Sequence, residues 1–94
     1  VGSIRIDPLL YEAVDMLPGQ KVQIVNINNG VRMETYIIEG ERGSGQVELN
    51  GPAARLAAVG DIVIVIAYCL LSPEEARVFE PKVVFPNEHN RLTA

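Results

Sequence analysis

Short apolar stretches separated by turn-forming residues every few positions run the length of this chain. Ile4 and Ile6 flank Arg5 with the two-residue period of a short strand. Asp7-Pro8 then has the form of an N-cap followed by proline in a first helical turn. Leu9, Leu10, Ala13 and Val14 give that helix one apolar side, and Pro18-Gly19 ends it. Lys21 to Ile27, with Val22, Ile24 and Ile27, predicts a strand. Both residues of Asn29-Gly30 tolerate positive φ, so a tight turn is expected there, with Arg32 to Glu39 as the return strand. Gly43-Ser44-Gly45 is a further turn and Gln46 to Leu49 a further strand. Asn50-Gly51-Pro52 opens a short helical turn in which Ala53, Ala54 and Leu56 can pack.

Gly60-Asp61 marks the next corner. Ile62 to Tyr68 shows no polar alternation, the pattern of a strand buried on both faces. Ser72-Pro73-Glu74-Glu75 is a capping box with proline at the first helical position, opening a helix kept short by Pro81. Lys82 to Phe85 reads as a late strand ended by Pro86, and Asn87 to Ala94 as a polar, frayed tail. There is no internal repeat. Strands punctuated so often by turns predict a mainly β fold, a small closed barrel with short helices, in one domain spanning residues 1–94. Closure would remove exposed sheet edges. Periodicity leaves the strand order open.

Composition narrows the function classes. The chain has 94 residues, enough for one domain, and 48% of them are hydrophobic. That supplies a core with apolar surface left over for another subunit. The net charge of -4 comes from scattered acidic residues, with no basic stripe for nucleic acid. The single cysteine, Cys69, excludes an internal disulfide and a multi-cysteine metal site, and its apolar neighbours predict a buried side chain. Its solitude fits a reducing cytosol. The run from Ile62 to Leu71 is too short to span a bilayer, and no histidine or carboxylate cluster has metal-ligand spacing.

The chemistry begins at Gly2-Ser3. A serine hydroxyl can attack the carbonyl before it, shift the amide to an ester and, by elimination, leave a pyruvoyl group. Gly2 lacks the Cβ that would oppose the strained backbone this requires. Read alone, Ser3 is an ordinary exposed serine. Further along, Asn29-Gly30-Val31-Arg32-Met33-Glu34-Thr35-Tyr36 supplies a cation, a hydroxyl and a phenol. Glu41-Arg42-Gly43-Ser44, Asn50-Gly51-Pro52-Ala53-Ala54, Val59-Gly60-Asp61-Ile62-Val63-Ile64 and Ser72-Pro73-Glu74-Glu75-Ala76 follow in order. Taken together, these motifs resemble the pyruvoyl-dependent aspartate 1-decarboxylases over nearly the whole chain.

The resemblance implies a six-stranded double-psi β-barrel assembled as a homotetramer, a self-processed proenzyme, and conversion of L-aspartate to β-alanine and carbon dioxide for pantothenate and coenzyme A synthesis in the cytoplasm. It implies that Ser3 becomes the pyruvoyl group that forms a Schiff base with substrate. Tyr36 is then the proton donor, an alternative to the commoner fate of a rim aromatic. Arg32, otherwise a solvated strand residue, pairs with a substrate carboxylate. Thr35 serves both substrate and processing, together with Gly2 and Asn50 at the scissile bond. Gly51, Pro52 and Ala53 form a substrate cradle in which Pro52 has no N–H to donate. Thr35 and Tyr36 are neighbours in a strand and should point to opposite faces, so a bulge is expected if both serve one site. The family also carries an upstream segment with a strand, a lysine and a tyrosine. Only Val1-Gly2 precede Ser3 here, and without that segment an open barrel edge and impaired activity are expected. A maturation factor is a possible further partner.

Two other readings compete. One is a non-catalytic barrel module that binds a partner or oligomerises. The other is a serine hydrolase, which needs His89 beside Ser3 or Ser44; Gly43-Ser44-Gly45 lacks the full nucleophile-elbow pattern, and His89 lies in the polar tail. The glycine-rich stretches also lack the ending of a phosphate loop.

Overall fold

A computed structural model describes residues 2–92. Five strands form one sheet in the order β4-β1-β3-β2-β5, where β1 is Ser3–Ile6, β2 Lys21–Asn26, β3 Arg32–Glu39, β4 Val47–Asn50 and β5 Val63–Ile66. Two short helical segments lie between strands, α1 (Pro8–Glu12) and a 3-10 turn (Gly51–Leu56), and α2 (Pro73–Val78) follows β5. The sheet curls over a core of Ile4, Ile6, Val22, Ile24 and Ile37, closed by Leu10 and Tyr11 from α1. Alternation puts these side chains on one face, with Met33, Val47, Leu49, Val63 and Val65 packed around them.

The β2–β3 hairpin follows from its turn. Gly30 adopts φ 76°, and the amide of Asn26 closes the loop on the carbonyl of Val31 at 2.8 Å. Less local is the placing of β1. It runs parallel to β3, with Ile4 beside Ile37, and antiparallel to β4, with Ser3 beside Asn50. Parallel pairing needs a crossover, and the path through α1 and β2 provides it.

Asp7 fixes the corner where β1 ends. It caps α1 through Leu9 N–H at 2.9 Å and also accepts from Gly43 N–H at 3.0 Å and Gly45 N–H at 2.8 Å. The carboxylate is buried. Burial pushes its pKa up, but the three amides, helped by Arg42, outweigh that and hold it below the ordinary value of 3.8. Gly43 and Gly45 both have positive φ, which lets two successive turns aim their amides inward. Arg42 is tied back to Glu12 by a two-pronged bond of 3.1 and 2.7 Å.

Several expectations need correction. The first helix stops at Glu12, because the chain turns at Asp15 with φ 59°; Ala13 and Val14 lie beyond it. The apolar run at 62–68 is not covered on both faces: β5 pairs only with β2, and Ile64 is 46% exposed. Continuous hydrophobicity implies two-sided burial only where something lies on the second face, and nothing among the described residues does. For the same reason Cys69, just past β5, is exposed rather than buried. Residues 82–85 form no strand. The tail is not frayed as far as residue 92: Asn90 Nδ2 donates to Gly45 O at 3.0 Å, and Lys82 pairs with Asp15. Among the described residues the sheet stays open, with β4 and β5 as its edges. The capping box at Ser72 and Glu75 forms as expected. No helix among the described residues is long and apolar enough to cross a membrane.

Substituting Asp7→Asn would face an amide donor toward one of the inward N–H groups, and a loss of about 2–3 kcal/mol is expected in urea denaturation at pH 7. Because the folded pKa is depressed, the wild-type advantage over Asp7→Asn is present above the ordinary carboxylate value and is lost as pH falls through the lower folded value. A difference between the two proteins that did not change on acidification would show that the charge of Asp7 is irrelevant.

Candidate functional site

The start of β1 is held by three neighbours. Ser3 lies opposite Asn50 in the ladder, and Asn50 Nδ2 donates to Ser3 Oγ at 3.3 Å. The Ser3 side chain is buried. Gly2 abuts the start of the 3-10 turn, where a Cβ on it would fall 2.4 Å from Asn50 O, 3.1 Å from Ala53 Cβ and 3.2 Å from Ala53 N. No side chain fits there without moving backbone. Glycine at this position is thus required by space, whatever its backbone angles.

β3 supplies the third neighbour. The parallel register sets Ile4 beside Ile37. Counting back along it brings Ser3 level with Tyr36 and Gly2 level with Thr35. The β2–β3 ladder runs unbroken from Lys21–Tyr36 to Val25–Arg32, so the expected bulge is absent. Thr35 is buried on the core face, while Tyr36 is exposed on the other. Both flank one peptide in the register, because β1 begins at Ser3 and the Gly2–Ser3 bond lies at its first residue.

Thr35 Oγ1 is a buried hydroxyl with no hydrogen-bond partner. An unmet hydroxyl costs free energy, and this one lies level with Gly2. Gly51, in the left-handed region at φ 64°, and Pro52 are exposed, whereas Ala53 is buried against Gly2. The site therefore gathers Gly2, Ser3, Thr35, Tyr36, Asn50 and the turn from Gly51 to Ala53.

Arg32 stands apart. It shares the outer face with Tyr36 but lies four residues along β3, about 13 Å at the usual strand rise. Its Nη1 donates to Gln23 Oε1 at 2.6 Å, and the Tyr68 hydroxyl donates to the same oxygen at 2.9 Å. Lys21 and Glu34 pair beside them at 3.2 Å. The sequence reading missed Gln23 and Tyr68, whose relation to Arg32 appears only once the strand register is known. It also missed Asn26, fully buried in a β-branched run. Asn26 Nδ2 donates to Leu56 O at 3.2 Å and to Asp61 Oδ2 at 2.9 Å, tying the exit of the 3-10 turn to the entry of β5. The Asn26 bond, then that from Ala58 N–H, holds the Asp61 pKa below its ordinary value.

A serine hydrolase is not supported. Ser44 Oγ donates to Glu41 O at 2.6 Å and accepts from Gln46 N–H at 3.0 Å, while His89 is exposed beside Glu88. Among the described residues no group of histidine, cysteine and carboxylate side chains could hold a metal.

Residues 1–93 match the family model for aspartate decarboxylase. The chain is 57% identical over 90 residues to the aspartate 1-decarboxylase of Thermoanaerobacter pseudethanolicus, covering 96% of this chain and 77% of that protein. It is 59% identical over 92 residues to the proteins of that name from Caldicellulosiruptor saccharolyticus and Cytophaga hutchinsonii, covering 98% of this chain and 72% and 80% of theirs.

Thr35→Val removes the orphan hydroxyl at constant shape. Stability should hold or rise by about 1 kcal/mol in a denaturant titration. A loss of that size would show instead that the hydroxyl is paired in solution.

Proposed function

Since this chain belongs to the aspartate decarboxylase family, we propose that it removes the α-carboxylate of L-aspartate to give β-alanine and carbon dioxide, a step toward pantothenate. Relatives at this identity carry the name of that activity, and none of those described bears the name of a non-catalytic module.

The single observation that carries the site assignment is the packing of Gly2 against Asn50 O and Ala53. It supports Gly2–Ser3 as the bond that breaks. Ser3 Oγ is the attacking atom and the Gly2 carbonyl its target. Asn50 Nδ2, already on Ser3 Oγ, orients the hydroxyl. Thr35 Oγ1 is a donor in need of an acceptor, and oxyanion stabilisation by one such hydroxyl fits its level beside Gly2. The oxygen replaces nitrogen on the Gly2 carbonyl, elimination frees the Gly2 carboxylate, and water then displaces ammonia from the former serine. The residues present thus fit a pyruvoyl group at position 3, whose carbonyl supplies an electron sink for decarboxylation.

The other residues bind and orient. Tyr36, level with Ser3 and open to solvent, can deliver the proton that replaces carbon dioxide. The N–H groups of Gly51 and Ala53 offer donors to a substrate carboxylate next to Ser3, and Pro52 offers none. Arg32 is the anchor for the remaining carboxylate. It starts about 13 Å along β3 from the level of Ser3, and its guanidinium is held on Gln23 of β2, on the side of β3 away from β1. That placement favours supply of Arg32 by a second copy, in a homo-oligomer such as the tetramer. The exposed apolar side chains of Ile62, Ile64, Leu70 and Phe85 agree with subunit burial. A six-stranded barrel, of the double-psi type, is the proposed closure, in which a further strand pairs with both open edges, β4 and β5.

Complementation tests the two-chain site. Ser3→Ala and Arg32→Ala, each made alone in the full-length protein, should lower β-alanine production by about a hundredfold or more. Co-expressed and co-purified, they should regain a measurable share of wild-type activity, because a mixed assembly contains one site with both groups intact. No recovery in mixed oligomers would place Arg32 and Ser3 in the same copy's site and contradict the assignment.

A further inference from the structure

We infer that Gln23 is the positioning residue for Arg32, and that it works because its acceptor is neutral. This deepens the reading of Arg32 as the substrate anchor and rests on it. Gln23 lies diagonally across the β2–β3 ladder from Arg32, which faces Val25 directly. Its Oε1 takes one N–H of the guanidinium at 2.6 Å and the Tyr68 hydroxyl at 2.9 Å. Both lone pairs of the amide oxygen are then used. The amide is fixed from two sides, by β3 and by the segment after β5, and turning it over would set its NH2 group against the guanidinium.

A guanidinium has five N–H donors. Gln23 occupies one and leaves a fork free for an incoming carboxylate. Because an amide carries no charge, Arg32 keeps its full attraction for that anion. A carboxylate at position 23 would do the opposite: it would pair with the fork in the geometry the substrate needs.

The nearest competitor is already engaged. Glu34 faces Gln23 in the ladder, on the same side of β3 as Arg32. Lys21 holds its carboxylate at 3.2 Å. That exposed pair adds little stability, but it draws the Glu34 charge away from Arg32. Gln23, Tyr68, Lys21 and Glu34 line one shallow depression on the outer face, so the anchor's surroundings are assembled from β2, β3 and the segment after β5. The sequence alone offered no hint of this, since Gln23 is simply a polar residue on the solvent side of a strand.

Steady-state kinetics of the processed, full-length enzyme with L-aspartate test the inference. Gln23→Glu should raise KM at least about tenfold with kcat within about threefold, the signature of lost ground-state binding. Gln23→Met, similar in length and uncharged, should raise KM less, and Tyr68→Phe by only about twofold to threefold. Cleavage at Gly2–Ser3, read by mass, should match wild type in all three. A packing role would reverse the order, making Met as harmful as Glu or worse, and that result overturns the inference. If Arg32→Ala raises KM but Gln23→Glu does not, Gln23 has no positioning role while Arg32 remains the anchor. If Arg32→Ala leaves KM unchanged, the anchor reading itself is wrong and this inference goes with it. Should Gln23→Glu fail to fold, Gln23→Met and Tyr68→Phe decide, and unchanged KM in both is the overturning result.

Discussion

Strand β1 is hydrogen-bonded on both sides, parallel to β3 and antiparallel to β4, and the surroundings of Ser3 depend on that double pairing. Only a strand locked in register on two flanks can hold one peptide against a neighbouring carbonyl as tightly as Gly2 sits against Asn50 O. The two pairings contribute different things. β4 leads into the 3-10 turn and so brings Asn50 and Ala53. β3 brings Thr35 on one face and Tyr36 on the other. Remove either and Ser3 loses the neighbours that strand brings.

The corner at the other end of β1 shows how the register is kept. Asp7 follows Ile6 directly and gathers amides from α1 and from the turn before β4. A buried carboxylate is costly unless its oxygens are satisfied, so the turn at Gly43 and Gly45 has little freedom to slide. Gly45 is confined further, since a Cβ on it would come within 2.5 Å of His89 O. The Ser3 end of β1 is thus set from its far end, by Asp7. The tail contributes to that confinement, which explains its ordered docking despite its polar composition.

Much of this was legible in the sequence where the cause is local. The limits of β3, Arg32–Glu39, follow from Asn29-Gly30 and a run of strand-forming residues. The capping box at Ser72 and the cap at Asp7 follow from side chains that satisfy nearby amides. Opposite faces for Thr35 and Tyr36 follow from the pleat. What could not be read was non-local. Nothing in Ser3–Ile6 says that it pairs in parallel with β3, or that Gln23 and Tyr68 converge on Arg32. The first helix was overread, because Ala13 and Val14 suit a helical face that the turn at Asp15 cuts short. The run Ile62 to Tyr68 reads as buried on both faces from its hydrophobicity, yet the described residues leave one face open. A second subunit on that face, as proposed for the site, would cover it without a different fold.

The central claim is that the bond between Gly2 and Ser3 is broken by the protein's own serine. Intact-mass measurement of the full-length protein over the course of maturation tests it most directly. The account predicts a split between Gly2 and Ser3, with the fragment beginning at position 3 lighter than its serine form by the mass of ammonia and reactive toward hydrazines. A protein that stays uncut there while still releasing β-alanine from aspartate would contradict it.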